Sequence, residues 1–401
     1  MVRAKCNRRF TAFAGLFALG VLVITTILFH HNSIDNVSNE RVVAPPPDSH
    51  KLILFWNKYF NYDHPDLRAN FAGCAVQTCT TTNDRSRLSA SSAVVIHAGN
   101  VEIQDLPPTR HPAQYFVFFH MENPFRTTPN FRLPLWRNYF NLTWTYRRDS
   151  DVRSVIYVNY YGGRSLWEDA TAERGKLEER KNAAASLVSH CAAESHRDDY
   201  IRKLERYFPV DSLGKCGSKN GEWTQDESII RHYKFYLAFE NGFCKDYVTE
   251  KPLRALFYDT VPVVMGAANY SAIFPPKSFI NTADFGSARE LGEYLKYVSQ
   301  NVSAYEEYFA WKYNPKYLHL PKDYQSNHND ACQLCTHLHR ADAPVKSYGD
   351  IYEWWMERSQ CVIPFMAYRE WMPLPTFVIF YGFAGVALIF FAAYLKRRFR
   401  R

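Results

Sequence analysis

Residues 235–265 read FYLAFENGFCKDYVTEKPLRALFYDTVPVVM, and the reading of this stretch decides the fold. Phe235 to Phe239 is a short apolar, aromatic run of the kind that forms a buried strand. Asn241-Gly242 marks a sharp exit from it. Thr249 is a favourable N-cap, Pro252 is tolerated in a first turn, and Leu253, Leu256 and Phe257 recur at helical spacing. Val261 to Met265 is a second apolar run of strand length. Strand, helix and strand in that order make a βαβ unit, which demands parallel pairing. The spacing also puts Lys251 in the first helical turn, where free N–H groups favour an anion such as a diphosphate.

Working outward, LILFW at 52–56, SAVVIHAG at 92–99 and QYFVFFHMENP at 114–124 read as strands separated by turns. Beyond a linker near residue 170, AAASLVSHC at 183–191 reads as a strand. HRDDYIRKLERYF after it reads as a helix with Tyr200, Leu204 and Tyr207 on one stripe. The Glu178-Glu179-Arg180-Lys181 charge run reads as a solvated helix end. KSFINTADF and a long amphipathic helix around ARELGEYLKYVSQN follow the central unit. The expected class is therefore α/β, with two Rossmann-like units, residues 51–170 and 171–365, facing across a cleft. No internal repeat is evident in the sequence.

The 401 residues suffice for two domains, and 47% hydrophobic with 16% aromatic content indicates a globular protein rich in Phe and Tyr. Much of the net charge of +8 sits at the ends, in Arg3, Lys5, Arg8 and Arg9 and again in the terminal KRRFRR. Both basic clusters flank apolar segments, which points to membrane topology and away from nucleic acid. Phe10 to Phe29 is an uncharged run of about 20 residues, long enough to cross a bilayer core. Its end, Ile27-Leu28-Phe29-His30, is a poor cleavage site, so it reads as a signal anchor with residues 1–9 cytosolic. Residues 30–50, with Pro45-Pro46-Pro47, read as an extended stem. Residues 374–395 carry no charge and precede the basic tail 396–401, so a second span is expected, with both termini cytosolic.

The region between the spans is then lumenal. Sequons at Asn36, Asn141, Asn269 and Asn301 fit a glycosylating compartment. Of nine cysteines, Cys6 is cytosolic, and the other eight could form four disulfides. Cys74 and Cys79 form a close pair, Cys191 and Cys216 bracket one segment, Cys332 and Cys335 form a CxxC, and Cys244 and Cys361 remain; spacing does not choose their partners. The CxxC with His337 and His339 could hold zinc, but the compartment favours disulfides and no second CxxC exists.

FENGFCKDYVTEK, followed by VPVVMG, NYSAIFPPKSFI and YFAWK, resembles the donor-site signature of the α1,3-fucosyltransferases. Matching segments run in order across roughly residues 51–361. The resemblance implies the GT-B fold and transfer of L-fucose from GDP-fucose, with inversion, to the 3-hydroxyl of a GlcNAc in a glycan. It also implies a Golgi membrane location and no required cofactor or metal, a divalent cation at most stimulating. HMENPF is similar to the family's MESP-type motif, which makes Glu122 the general base. A carboxylate ending an apolar strand beside a Pro turn is also where α/β folds place ligands. SLVSHCAAESHRDDY resembles the segment that supplies Ser189 and the diphosphate-binding Arg197, with His190 standing where the family has Asn. Tyr236, Asn241, Tyr247, Glu250 and Lys251 fall on donor-contact positions, as does Tyr161, although Tyr160 replaces the Pro expected before it. FNLTWTYRRDSDV also matches; its Asp149 and Asp151 mimic a metal-binding DxD, but pairing with Arg147 and Arg148 is the simpler account. A second span is not a feature of the family. The resemblance also allows a catalytically inactive glycan-binding relative, for which His190 leaves room.

Overall fold

The computed structural model describes residues 50–127, 130–154, 177, 179–217, 224, 226–314, 330–340 and 346–363. Both expected spans, the stem up to residue 49 with Asn36, and Tyr161 lie outside them. Among the described residues, no helix is long and apolar enough to cross a membrane.

Two parallel sheets organise the chain. The first comprises β1 (Lys51–Phe55), β2 (Cys79–Thr82), β3 (Ala93–His97), β4 (Tyr115–His120), β5 (Leu142–Thr145) and β6 (Val152–Arg153), in the order β2-β1-β3-β4-β5-β6. The second comprises β7 (Lys181–Ser186), β8 (Val210–Ser212), β9 (Tyr233–Phe239), β10 (Val261–Met265) and β11 (Ile280–Asn281), in the order β11-β10-β9-β7-β8. The βαβ unit is present: β9 and β10 pair in parallel from Phe235 opposite Val261 to Phe239 opposite Met265. Buried on both faces, these strands are near-continuous apolar runs, as parallel sheets require, with the buried Lys234 donating its ammonium to the Ser299 carbonyl.

Among the described residues the α-helices are α1 (Arg197–Leu204), α2 (Lys251–Phe257), α3 (Ala288–Gln300), α4 (Val302–Glu306) and α5 (Ala331–Leu338). The buried stripe of α1 is Arg197, Ile201 and Leu204; of the expected stripe, Leu204 is buried and Tyr200 packs half-buried on Phe239, whereas Tyr207 lies past the helix end and is exposed. Gly292 of α3 lies so close to this helix that a Cβ there would meet Tyr207 Cβ at 2.6 Å. The strand expected over 183–191 ends at Ser186. The charge run is not a solvated helix end: Lys181 opens β7, and Arg180 is buried with its guanidinium donating to the Asp259 carbonyl oxygen.

Within the first unit, the described connections form 3-10 turns and no α-helix. They carry Pro65, Pro107, Pro108, Pro112, Pro124 and Pro134, and proline disrupts a helix interior. Aromatic rings fill the space instead: Phe118 packs on Phe131, Phe140 and Trp355, and Phe119 on Trp144. Trp355 and α5 come from the far end of the chain, which returns across the first sheet and joins its core. Disulfides hold it there. Cys74–Cys332 and Cys79–Cys335 cross-link the two close cysteine pairs, while Cys191–Cys216 and Cys244–Cys361 complete the set. The sulfurs of the CxxC are therefore spent in two different disulfides, which removes the zinc reading.

Asn141 is a correction to the list of glycan acceptors. It is buried, its Oδ1 accepts from Phe116 N at 2.8 Å, and its Nδ2 donates to the Lys346 carbonyl at 2.9 Å. A glycan on that nitrogen is incompatible with the fold. Asn269 is exposed and Asn301 half-buried.

Candidate active site

Glu122 follows β4 by two residues, at a turn that Asn123 caps through Phe125 N at 3.0 Å. Its Oε2 accepts from Asn241 Nδ2 at 2.9 Å and from the Tyr247 hydroxyl at 3.0 Å, so its carboxylate faces the opposite unit. Asn123 Nδ2 donates to Asn241 Oδ1 at 3.0 Å, completing a ring of amides and a carboxylate across the junction. Gly242 permits this approach, since a Cβ there would lie 2.6 Å from Asn123 Nδ2. The turn beyond it is tied down by Cys244–Cys361, and Tyr146 packs on Tyr247 with ring centroids 4.8 Å apart.

Across the junction the cations gather at the C-terminal ends of β7 and β9. Arg197 is 3% exposed and donates through Nη1 to the Phe239 carbonyl and through Nη2 to the His190 carbonyl, both at 2.9 Å. It thereby ties the end of β9 to the segment that follows β7, where the sheet order reverses, the position at which doubly wound folds bind ligands. Its Nε is buried with no partner, so donor capacity remains. Lys251 donates to Thr249 Oγ1 at 2.6 Å and pairs with Glu240 at 3.2 Å and Glu250 at 3.6 Å. Burial acts against its charge, but these carboxylates outweigh it and raise its pKa. At Glu250 burial is likewise outweighed, by Lys251 and Arg254, and its pKa lies below the usual range.

Thr249 is not the N-cap of α2. Glu250 holds that position without a side-chain cap, because the buried Glu240 carboxylate takes both the Thr249 N–H at 2.8 Å and its hydroxyl at 2.7 Å. Lys251 is the first residue of α2, a helix of seven residues. Tyr236 is buried, and its hydroxyl accepts from Arg254 Nη1 at 2.9 Å. Ser189 is exposed, and His190 is half-buried, with its pKa lowered by burial and by the charges of Arg126 and Arg197.

The structure thus brings together Glu122, His190, Arg197, Asn241, Tyr247, Glu250 and Lys251. Three neighbours escaped the sequence reading. Tyr59 feels both the Glu122 and Glu250 carboxylates, which add to burial in raising its pKa; Arg126 bears on His190; and Glu240 holds Lys251. Glu240 was the most legible of these, as a lone carboxylate directly after an apolar strand. The Asp149 and Asp151 pair is engaged by protein. Asp149 accepts both Arg147 Nε at 2.8 Å and Nη2 at 2.6 Å, and Asp151 accepts from Thr143 N and the Tyr348 hydroxyl, each at 2.9 Å.

Two parallel α/β sheets meeting at a junction, with a carboxylate on one side and buried cations on the other, define a GT-B-like group-transfer enzyme. Family models agree: "Fucosyltransferase, N-terminal" matches residues 48–158, and "Glycosyltransferase family 10 (fucosyltransferase) C-term" matches residues 177–354. Alpha-(1,3)-fucosyltransferase C of Drosophila melanogaster is 33% identical over 88% of this chain and 90% of its own. Alpha-(1,3)-fucosyltransferase fut-1 of Caenorhabditis elegans is 32% identical over 76% and 69%. The rat 4-galactosyl-N-acetylglucosaminide 3-alpha-L-fucosyltransferase 9 is 33% identical over 76% and 81%. A crystal structure of an α1,3-fucosyltransferase with GDP superposes with TM-score 0.53 at 19% identity, covering 77% of this chain and 95% of that one. The chain belongs to the glycosyltransferase family 10 fucosyltransferases.

Proposed function

We propose that this enzyme moves L-fucose from GDP-fucose, with inversion, to the 3-hydroxyl of a GlcNAc in an N-glycan core or an outer-arm N-acetyllactosamine or LacdiNAc unit. The observation that carries the reading is the Glu122 carboxylate, held by Asn241 and Tyr247 of the opposite unit. Both hydrogen bonds fall on one oxygen, leaving the other to take the acceptor's proton as its hydroxyl attacks C1 of fucose. Charge then grows on the departing diphosphate, and Arg197 and Lys251 neutralise it within a partly buried site, where fixed charges act most strongly. Fixed cations do the work of a metal in this scheme, so no cofactor is required. Similarity to relatives named as 3-fucosyltransferases of N-acetylglucosaminides supports the acceptor class. The basic clusters flanking both apolar segments support a Golgi membrane protein with its catalytic region in the lumen and both termini cytosolic.

The test is a glycan acceptor panel with GDP-fucose and the detergent-solubilised full chain, in the presence of chelator. Transfer to a GlcNAc-containing acceptor is expected. Glu122→Gln keeps an acceptor for Asn241 and Tyr247, and its rate should fall by about 10²–10⁴-fold with GDP affinity retained. Lys251→Ala should weaken GDP binding by roughly 10–100-fold, the loss of a charge-assisted hydrogen bond. Wild-type turnover by either variant removes the assignment, and inactivity in chelator restores a metal.

A further inference from the structure

Glu240 is the fully buried carboxylate at the end of β9, and the scheme above gives it no role. It accepts three hydrogen bonds, from Thr249 N, Thr249 Oγ1 and Lys251 Nζ. All three donors belong to the two sides of one short turn that opens α2. The Thr249 hydroxyl serves twice, donating to Glu240 and accepting from Lys251 at 2.6 Å. Gly266, at the end of β10, leaves room on the other side, where Tyr270 packs and its hydroxyl lies buried without a partner. The groups facing Lys251 are therefore Glu240 from β9, Glu250 from its own turn, Arg197 from α1 and Glu122 from the first unit.

We propose that Glu240 is the built-in counter-charge of the donor pocket: it pins Lys251 where the diphosphate will lie, and it opposes retention of GDP once fucose has left. The inference rests on the reading that Lys251 contacts the donor diphosphate. A phosphate oxygen hydrogen-bonded to Lys251 would lie at most about 6 Å from a Glu240 oxygen, given the 3.2 Å ion pair. A buried negative charge at that range repels a diphosphate appreciably even at the effective dielectric of a protein site. Glu240 is thus a positioning residue whose charge favours a preorganised lysine at a cost in product affinity. Burial raises the Glu240 pKa, a shift that Lys251 and the two Thr249 hydrogen bonds oppose, while Glu240 and Glu250 outweigh burial at Lys251 and raise its pKa.

The test is GDP binding by calorimetry together with steady-state transfer, using the full chain and Glu240→Gln. Glutamine keeps the shape and an acceptor for Thr249 N but removes the charge. The expected result is opposite in sign for the two readouts: GDP binds about tenfold more tightly, while kcat falls. A merely structural Glu240 would loosen GDP and lower kcat together, and that outcome, or unchanged GDP affinity, overturns the proposal. Thr249→Val supplies a second measurement should Glu240→Gln not fold. It breaks the hydroxyl bridge yet leaves both charges, so kcat should fall without any gain in GDP affinity. An unchanged kcat in Thr249→Val also overturns the proposal. If the wild-type chain binds no GDP, it is the assignment of the donor site that fails.

Discussion

The first sheet runs β2-β1-β3-β4-β5-β6 and the second β11-β10-β9-β7-β8, so counted along their own strands the first follows 2-1-3-4-5-6 and the second 2-1-3-4-5. Both place a topological switch beside their first strand, and both aim the C-terminal ends of strands at the junction. The materials differ. The second unit is covered by α-helices that its own stretch of chain supplies, and aliphatic side chains dominate its core. The first has only 3-10 turns of its own among the described residues, a core rich in edge-on and tilted aromatic rings, and a covering borrowed from residues 331–338 and 351–356. The chemistry divides the same way, with the carboxylate on the first unit and the cations on the second. A unit that cannot cover itself needs cross-links to hold what it borrows, and three of the four disulfides connect the returning segment to the body of the chain.

The largest effect should come from cutting that cover loose. Cys74–Cys332 and Cys79–Cys335 span sequence separations of 258 and 256, against 25 for Cys191–Cys216. Loop-entropy reasoning assigns about 5 kcal/mol to the first long loop, less to its neighbour, whose ends are already close, and about 3 kcal/mol to the short one. Thermal unfolding of Cys332→Ser with Cys335→Ser should therefore show a greater loss than Cys191→Ser with Cys216→Ser. The reverse order would break the contrast between a braced unit and a self-sufficient one.

Acid should also single out the first unit, which holds all the buried histidines of the described residues: His64, His97 and His120. Burial pushes His97 from 6.5 down to about 4 and holds His64 and His120 well below the usual imidazole range. Their folded pKa values lie below the unfolded one, so the stability of the neutral rings is complete above pH 6.5 and lost as pH falls toward 4. His97 alone accounts for about 3 kcal/mol. Asp66, raised by burial to about 8, acts in the opposite direction, but it is one group against three. Melting temperature should drop across this window; a flat profile contradicts the assignment.

The smallest of these effects probes the seam between the units. Gly242→Ala would press a Cβ onto Asn123, at a cost of about 1–3 kcal/mol. It should slow transfer as well as lower stability, because Asn241 beside it holds Glu122. A variant that loses stability with full transfer would show that the seam is structural only.

Much of the second unit was legible because its βαβ pattern is local. The apolar run from Val261 to Met265 became a strand with those bounds, and Lys251 lies in the first turn of the helix as read, although the helix starts one residue later than a Thr249 cap implies. Capping was not legible: Thr249 has the chemistry of an N-cap, yet a buried carboxylate nine residues earlier claims both its hydroxyl and its N–H. Arg180 and Asn141 were misread for a related reason, since a charged residue or a sequon shows its identity in sequence but not its burial.

By itself the amino-acid sequence determined the parallel α/β class, the family and the residue types at the site, because strand periodicity and short motifs are properties of neighbouring residues. Only the tertiary structure decided which cysteines pair, that the chain's end covers the first sheet, and that Asn241 and Tyr247 reach across to Glu122. Apart from Cys191–Cys216, 25 positions apart, those facts depend on contacts between residues separated by 100 or more positions along the chain. No local pattern encodes such contacts; packing and hydrogen bonding in the folded molecule select them.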